Sequence, residues 1–285
     1  MIANRSILKK VPATSLFVSE PHPHYFGNDE NPAKNPNWTN SNWLKSRFHF
    51  AFAEWRSPIT NFGVLRVLND DLVQPDRGFG AHGHQNMEIA TFVLQGELTH
   101  RDSMGNEESL KRGSVQFMSA GTGVEHSEFN KNKTLPLHFL QLWILPKTQG
   151  LRPRYGSFNG EKHVEMRQNK WAHMVTWDEK KFEDDKTAPP IRLNQDVNIF
   201  VSEVSPGTEL EFPVLKGRQA YVVTAEGDST ISAVSSDIAM TSTTEFSEGD
   251  AAEVFGELKL TFKALTKSFW LIVEMPWDGK SRFRF

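Results

Sequence analysis

Apolar and β-branched residues in this 285-residue chain gather in short runs, each closed by glycine, proline or a polar cluster. In residues 43–55 (WLKSRFHFAFAEW), Phe48, Phe50 and Phe52 alternate with His49 and Ala51, which predicts a strand with one aromatic face and His49 in a structural position opposite it. Residues 62–68 (FGVLRVL) predict another strand, and Asn69-Asp70-Asp71 a turn. Residues 87–94 (MEIATFVL) are apolar enough for a central strand, and Gln95-Gly96-Glu97 turns the chain. Short strands follow at 98–102, 114–119 and 137–145, separated by turn signals at 103–107 and 120–123. The stretch 146–155 (PKTQGLRPRY) reads as a linker. Beyond it a second set is predicted at 171–177, 197–204, 219–225, 229–234, 257–266 and 268–275, with a charged, proline-bearing interruption at 179–190. Ahead of both sets, 15–20 predicts a short strand and 21–39 irregular surface chain. Many short strands between turns fit a β-barrel or sandwich better than alternating β and α units.

The chemistry gathers between Gly78 and Asn130. His82 and His84 are separated by one residue, as are His126 and Glu128. Side chains two apart in a strand share a face, so each pair projects together. If the two strands lie opposite each other in a barrel, all four groups converge. Three neutral imidazoles and a carboxylate suit a divalent first-row metal. Glu88, four residues beyond His84, is a rival carboxylate on the same face of a regular strand. His22 and His24 have the spacing of a pair, but prolines flank and separate them and no strand follows, so they read as surface loop. His100 and His138 fall outside both pairs and read as barrel-wall or surface residues. Phe79, Phe92, Phe117 and Met118 are candidates for an apolar wall around an aromatic ligand.

Composition narrows the classes. The length favours two domains. The chain has no cysteine, which excludes disulfides, thiolate ligands and cysteine nucleophiles. A formal net charge of -3 without a basic cluster gives no basis for direct nucleic-acid or anionic-membrane binding. No run approaches a membrane span, and the first twenty residues lack an apolar core fit for a secretory signal. The expectation is an intracellular soluble protein.

His82-x-His84-x3-Glu88, then Gly96, Gly113 and His126-x3-Asn130, resembles the two-part motif of the cupin barrels. The segments GFGAHGHQNMEI, THRDSMGN, MSAGTGVEHSE and LQLW are similar, more specifically, to the pirin family, most densely over 62–143. The resemblance implies an all-β fold of two tandem cupin (jelly-roll) barrels. Residues 1–42 would be an irregular extension, 43–150 a metal-binding barrel, and 151–285 a second barrel without ligands, since no histidine follows His173. In the pirin pattern the carboxylate two residues after the last histidine completes the ligand set, which favours Glu128 over Glu88. Gly83 departs from the proline usual between the paired histidines and leaves the backbone looser there.

The same resemblance implies Fe2+, with Mn, Ni, Cu, Zn or Co as other occupants. It also implies quercetin 2,3-dioxygenase activity, in which dioxygen and a flavonol-like aromatic substrate react, the heterocyclic ring opens and carbon monoxide leaves. Glu128 would then be the catalytic base. A different class is also implied, a redox-sensing metal protein of cytoplasm or nucleus that acts on transcription through a regulatory protein partner. A metal-dependent isomerase or a sugar-binding cupin stays open as well, because fold alone does not select chemistry.

Overall fold

The computed structural model describes residues 7–29, 43–177, 189–235 and 241–277. Its chain divides into two compact units, one of residues 16–61 and 65–163, the other of Met1–Ser15, Phe62–Val64 and Val164–Phe285. Each is all-β and built from a seven-stranded and a four-stranded sheet. No helix among the described residues is long and apolar enough to cross a membrane.

In the first unit the larger sheet runs, edge to edge, Arg154–Phe158, Val115–Ser119, Glu88–Gln95, Leu137–Ile144, Leu65–Val73, Leu44–Phe48 and Phe17–Ser19. The smaller sheet runs Arg77–His84, Val124–Asn130, Glu97–Asp102 and Glu107–Lys111. All of these pairings are antiparallel. Leu44, Val73, Val93, Leu137 and Phe139 from the larger sheet meet Leu98 and Leu110 from the smaller, so the core lies between the sheets. Truncating a side chain such as Phe139, fully buried there, costs about 3–5 kcal/mol by analogy with other cores.

The second unit repeats the plan. Val222, Val254, Trp270 and Ile272 of its larger sheet pack against Phe212, Ile231, Leu260 and Phe262 of its smaller one. The expected strands at 172–176, 198–204, 218–226, 229–235, 258–264 and 268–276 are present within a residue or two. Glu209–Val214 and Thr241–Phe246 were not foreseen, because both are edge strands with polar outer positions. Pro213 is tolerated in the first of these because an edge strand can spare a backbone donor. Most of the stretch 179–190 lies outside the described residues.

Four differences from the sequence reading bear on organisation. Asn69-Asp70-Asp71 is no turn but the middle of the strand Leu65–Val73. Its polar residues are accommodated on two faces: Asp70 accepts from Arg47 Nη1 (2.7 Å) and pairs with His138, while Asn69 and Asp71 take the other face. The aromatic strand expected over 43–55 ends at Phe48, and Ala53 takes a left-handed φ of 46° in the loop that follows. The amino-terminal stretch is not irregular throughout: besides the expected short strand, present as Phe17–Ser19 against Leu44–Phe48 in the first unit, Ile7–Val11 pairs with Ala251–Phe255 in the second. The linker expected at 146–155 runs into Arg154–Phe158, which pairs with Val115–Ser119 of the first unit.

His49 is buried, although it lies opposite the aromatic set, and it sets an acid response. Burial pulls its imidazole down to about 4, with Asp70 opposing the shift and Arg47 adding to it. The folded protein therefore leaves His49 neutral where the unfolded chain, with an ordinary value of 6.5, takes up a proton. This contribution to stability is complete above pH 6.5 and is lost as pH falls through about 4. Denaturant titrations across that window should show a shallower pH dependence for His49→Gln than for the parent, by up to about 1.4 kcal/mol per pH unit. Parallel curves would show that His49 is not the titrating group.

Candidate metal centre

The strand Arg77–His84 carries Gly78, Gly80 and Gly83, and the first two are there because backbone comes close. A Cβ on Gly78 would lie 2.4 Å from the Glu128 carbonyl oxygen, and one on Gly80 2.7 Å from that of Phe26. The turn Pro23–Phe26 thereby closes against the strand. Asn28 fastens it: its Nδ2 donates to the Gly78 carbonyl and its Oδ1 accepts from the Gly78 N–H, each at 2.9 Å. The partner strand Val124–Asn130 sets His126 directly opposite His82 and Val124 opposite His84.

This register gathers the three histidines. Ring centroids are 4.9 Å apart for His82 and His84, 4.5 Å for His82 and His126, and 4.8 Å for His84 and His126. One ring nitrogen from each lies within 4.8 Å of the other two. His82 Nδ1 is 2.8 Å from the Gly80 carbonyl oxygen, a contact that places its proton on Nδ1 and leaves the Nε2 lone pair open. The Nε2 atoms of His84 and His126 are buried without a hydrogen-bond partner. An unmet buried polar atom costs roughly 1–3 kcal/mol, so two side by side point to a missing electron-pair acceptor. Both imidazoles are pulled down to about 3, first by burial and then by their histidine neighbours, with Glu128 opposing this at His84 and Asp102 at His126. Neutral imidazoles with open nitrogens fit a divalent metal ion.

Glu128 is buried near this cluster but is not one of its three members. The strand register slips between His126 and Glu128, a β-bulge that re-aims the following side chain. Its Oε1 accepts from Thr91 Oγ1 at 3.2 Å and its Oε2 from Gln141 Nε2. Trp143 Nε1 donates to Gln141 Oε1 at 3.1 Å, which orients the Gln141 amide toward the carboxylate. Glu88 is elsewhere. The chain bends after His84, Asn86 taking a φ of 51°, and Glu88 opens a strand of the other sheet. Thr91 on that strand faces Glu128, so Glu88, three residues earlier, faces away, and its Oε1 accepts from Ser119 Oγ at 2.6 Å.

The walls differ in part from expectation. Phe79 borders His82, with Phe26 and Trp43 beside it. Met118 packs with Ile89 and Val124 next to Trp143, whose ring stands edge-on to His84 at 4.7 Å. Phe92 and Phe117 alternate out of phase with Thr91 and Met118, so they are core of the opposite face. His100, expected at the wall or surface, is fully buried beside His126. A His-x-Asp pair at 100 and 102, with the same period-two spacing as the ligand pairs, was the available signal. The His22 and His24 rings lie 4.8 Å apart, tilted by 36°, and belong to no three-residue cluster among the described residues. His138 pairs with Asp70 away from the centre.

Comparison with known proteins bears on the same residues. The pirin family model matches residues 32–144, and the model described as quercetinase C-terminal cupin domain matches 183–275. Quercetin 2,3-dioxygenase of Escherichia coli K12 is 31% identical over 238 residues, 83% of this chain and 94% of that protein. The crystal structure of YhhW from Escherichia coli superposes with a TM-score of 0.74 at 27% identity, covering 95% of this chain and 98% of that one. A structure of bacterial pirin YhhW in complex with nickel(II) superposes with a TM-score of 0.73 at 26% identity, covering 95% and 99%.

Metal analysis of purified variants tests the assignment. His82→Ala, His84→Ala and His126→Ala should each lose stoichiometric metal, whereas His22→Ala, His24→Ala and Glu88→Gln should keep it. Metal retained in the His84 and His126 variants would refute the cluster. Gly83 has no positive φ, and a Cβ there would meet nothing nearer than 4.0 Å. Gly83→Ala should therefore keep its metal and melt higher, by a gain of about 0.4–1 kcal/mol. A lower melting point would show that the glycine is needed for the local backbone.

Proposed function

The chain belongs to the pirin family, and from that premise we propose that it is a metal-dependent dioxygenase opening the heterocyclic ring of a flavonol such as quercetin. The observation that carries the metal half of this reading is the pair of unpartnered, buried Nε2 atoms on His84 and His126 beside the open nitrogen of His82. His82, His84 and His126 would hold an Fe2+-type ion, with Glu128 as fourth donor. The bound ion would supply a Lewis-acidic centre open to dioxygen and a chelating oxygen.

The protein's own groups do the remaining work. Glu128 takes the proton of the flavonol hydroxyl, which prepares the substrate oxygen as an anion. The two hydrogen bonds it accepts, from Thr91 and Gln141, hold the carboxylate in place and still leave it lone pairs for that proton. Trp143, through Gln141, keeps the amide from turning its oxygen toward the carboxylate. Phe26, Phe79, Met118 and Trp143 give the flat aromatic substrate an apolar surface and keep bulk water from the anion.

Protein loaded with Fe(II) and mixed with quercetin in air should consume oxygen as the flavonol absorbance falls. His126→Ala should abolish this, and Glu128→Gln should lower kcat by about 10²–10⁴-fold, the usual weight of a general base. Metal-loaded protein that turns over no flavonol, and instead binds a regulatory protein in a redox-dependent way, would contradict the enzyme reading.

A further inference from the structure

Behind His126, on the side away from the other two histidines, a second set of buried polar groups continues inward. The strand Glu97–Asp102 pairs with Val124–Asn130 so that Asp102 lies opposite His126 and His100 opposite Glu128. His100 Nδ1 is 3.5 Å from His126 Nδ1, and His100 Nε2 is 3.2 Å from Asp102 Oδ2. His100 has no solvent exposure. The Tyr155 ring covers its face, stacked at 4.7 Å and 18°, and is itself held by donation from its hydroxyl to Glu108 Oε2 at 2.9 Å.

Asp102 is the fixed end of this row. Its Oδ1 accepts from the backbone N–H groups of Met104 and Asn106 at 2.9 and 3.0 Å, and Asn106 Nδ2 donates to Oδ2 at 2.8 Å. Burial alone would raise its carboxyl, but these donors and His100 hold it below the usual carboxylate range. Asp102 is thus an anionic acceptor. An anionic acceptor at Nε2 of His100 puts that ring's proton on Nε2 and leaves Nδ1 as an acceptor. His126 then carries its proton on Nδ1, and its Nε2 lone pair faces the cluster.

We propose that Asp102 and His100 form a positioning relay that fixes the tautomer and ring orientation of His126, so that its Nε2 is presented to the metal. This rests on the three-histidine reading of the centre and is independent of flavonol chemistry. Neither residue touches substrate or metal, and both act through His126. The row is longer than the usual carboxylate–histidine–metal arrangement by one imidazole, which carries the anchoring carboxylate past the wall of the site.

Two readouts test it, one without any metal. In the metal-free protein, nitrogen NMR of the imidazoles should show His126 protonated at Nδ1, and His100→Phe should convert it to a tautomer mixture. The phenylalanine keeps a ring beneath Tyr155 while removing the acceptor. With Co(II) as probe, chelator competition should show His100→Phe binding about 10–100-fold more weakly, the usual weight of such an outer partner, with shifted visible bands. His100→Gln, which can accept from His126 and donate to Asp102, should recover most of the loss. Wild-type affinity, spectrum and tautomer in His100→Phe would overturn the relay. So would equal weakening in the Phe and Gln variants in step with lowered melting points, because that is the mark of packing alone. A parent protein that binds no Co(II) would overturn the three-histidine centre and the relay with it, an outcome distinct from the other two.

Discussion

Three imidazoles gathered partly out of water at one point of a barrel wall are the constraint from which the rest of this unit follows. Placing three basic nitrogens within 4.8 Å of one another is unfavourable if any takes a proton, and burial makes it more so. The fold answers by lowering His84 and His126 to about 3, and what it leaves behind is two buried nitrogens without partners. Such an arrangement is costly as packing and favourable only as a site. The surrounding devices hold the imidazoles in this position: the glycines of the ligand strand, the Asn28 clasp and the Gly80 contact to His82.

The antiparallel pairing of Arg77–His84 with Val124–Asn130 is what converts two sequence-distant pairs into one cluster. A slip of one residue in that ladder would send each histidine to the other face. Both sides of the pair resist the slip. The Pro23–Phe26 turn and Asn28 lock Gly78 on one side, and the strand Glu97–Asp102 locks His126 on the other. The second unit shares the seven-and-four-stranded plan, and its sheets enclose an apolar core that includes Phe212, Phe262 and Trp270.

Much of this was legible in the chain, for identifiable reasons. The histidine pairs follow strand periodicity, which is local, so His82, His84 and His126 could be named from spacing. The all-β character came from the rhythm of turns. What escaped was set by partners distant in sequence. Asn69-Asp70-Asp71 reads as a turn until Arg47 and His138 are known to pair with Asp70. Glu88 looks like a ligand until the bend after His84 hands it to another sheet. Phe92 and Phe117 are as aromatic as Phe79, and only the phase of their strands separates core from wall. His100 and Asp102 carry the same spacing as the ligands, yet their depth behind His126 has no trace in the sequence.

Anomalous diffraction from crystals of the native protein, recorded at the absorption edge of whatever transition metal it carries when purified, tests the central claim most directly. The account predicts one dominant peak among the Nε2 atoms of His82, His84 and His126. No peak there in protein that analysis shows to be metal-loaded, or a peak at His22 and His24 instead, would contradict it.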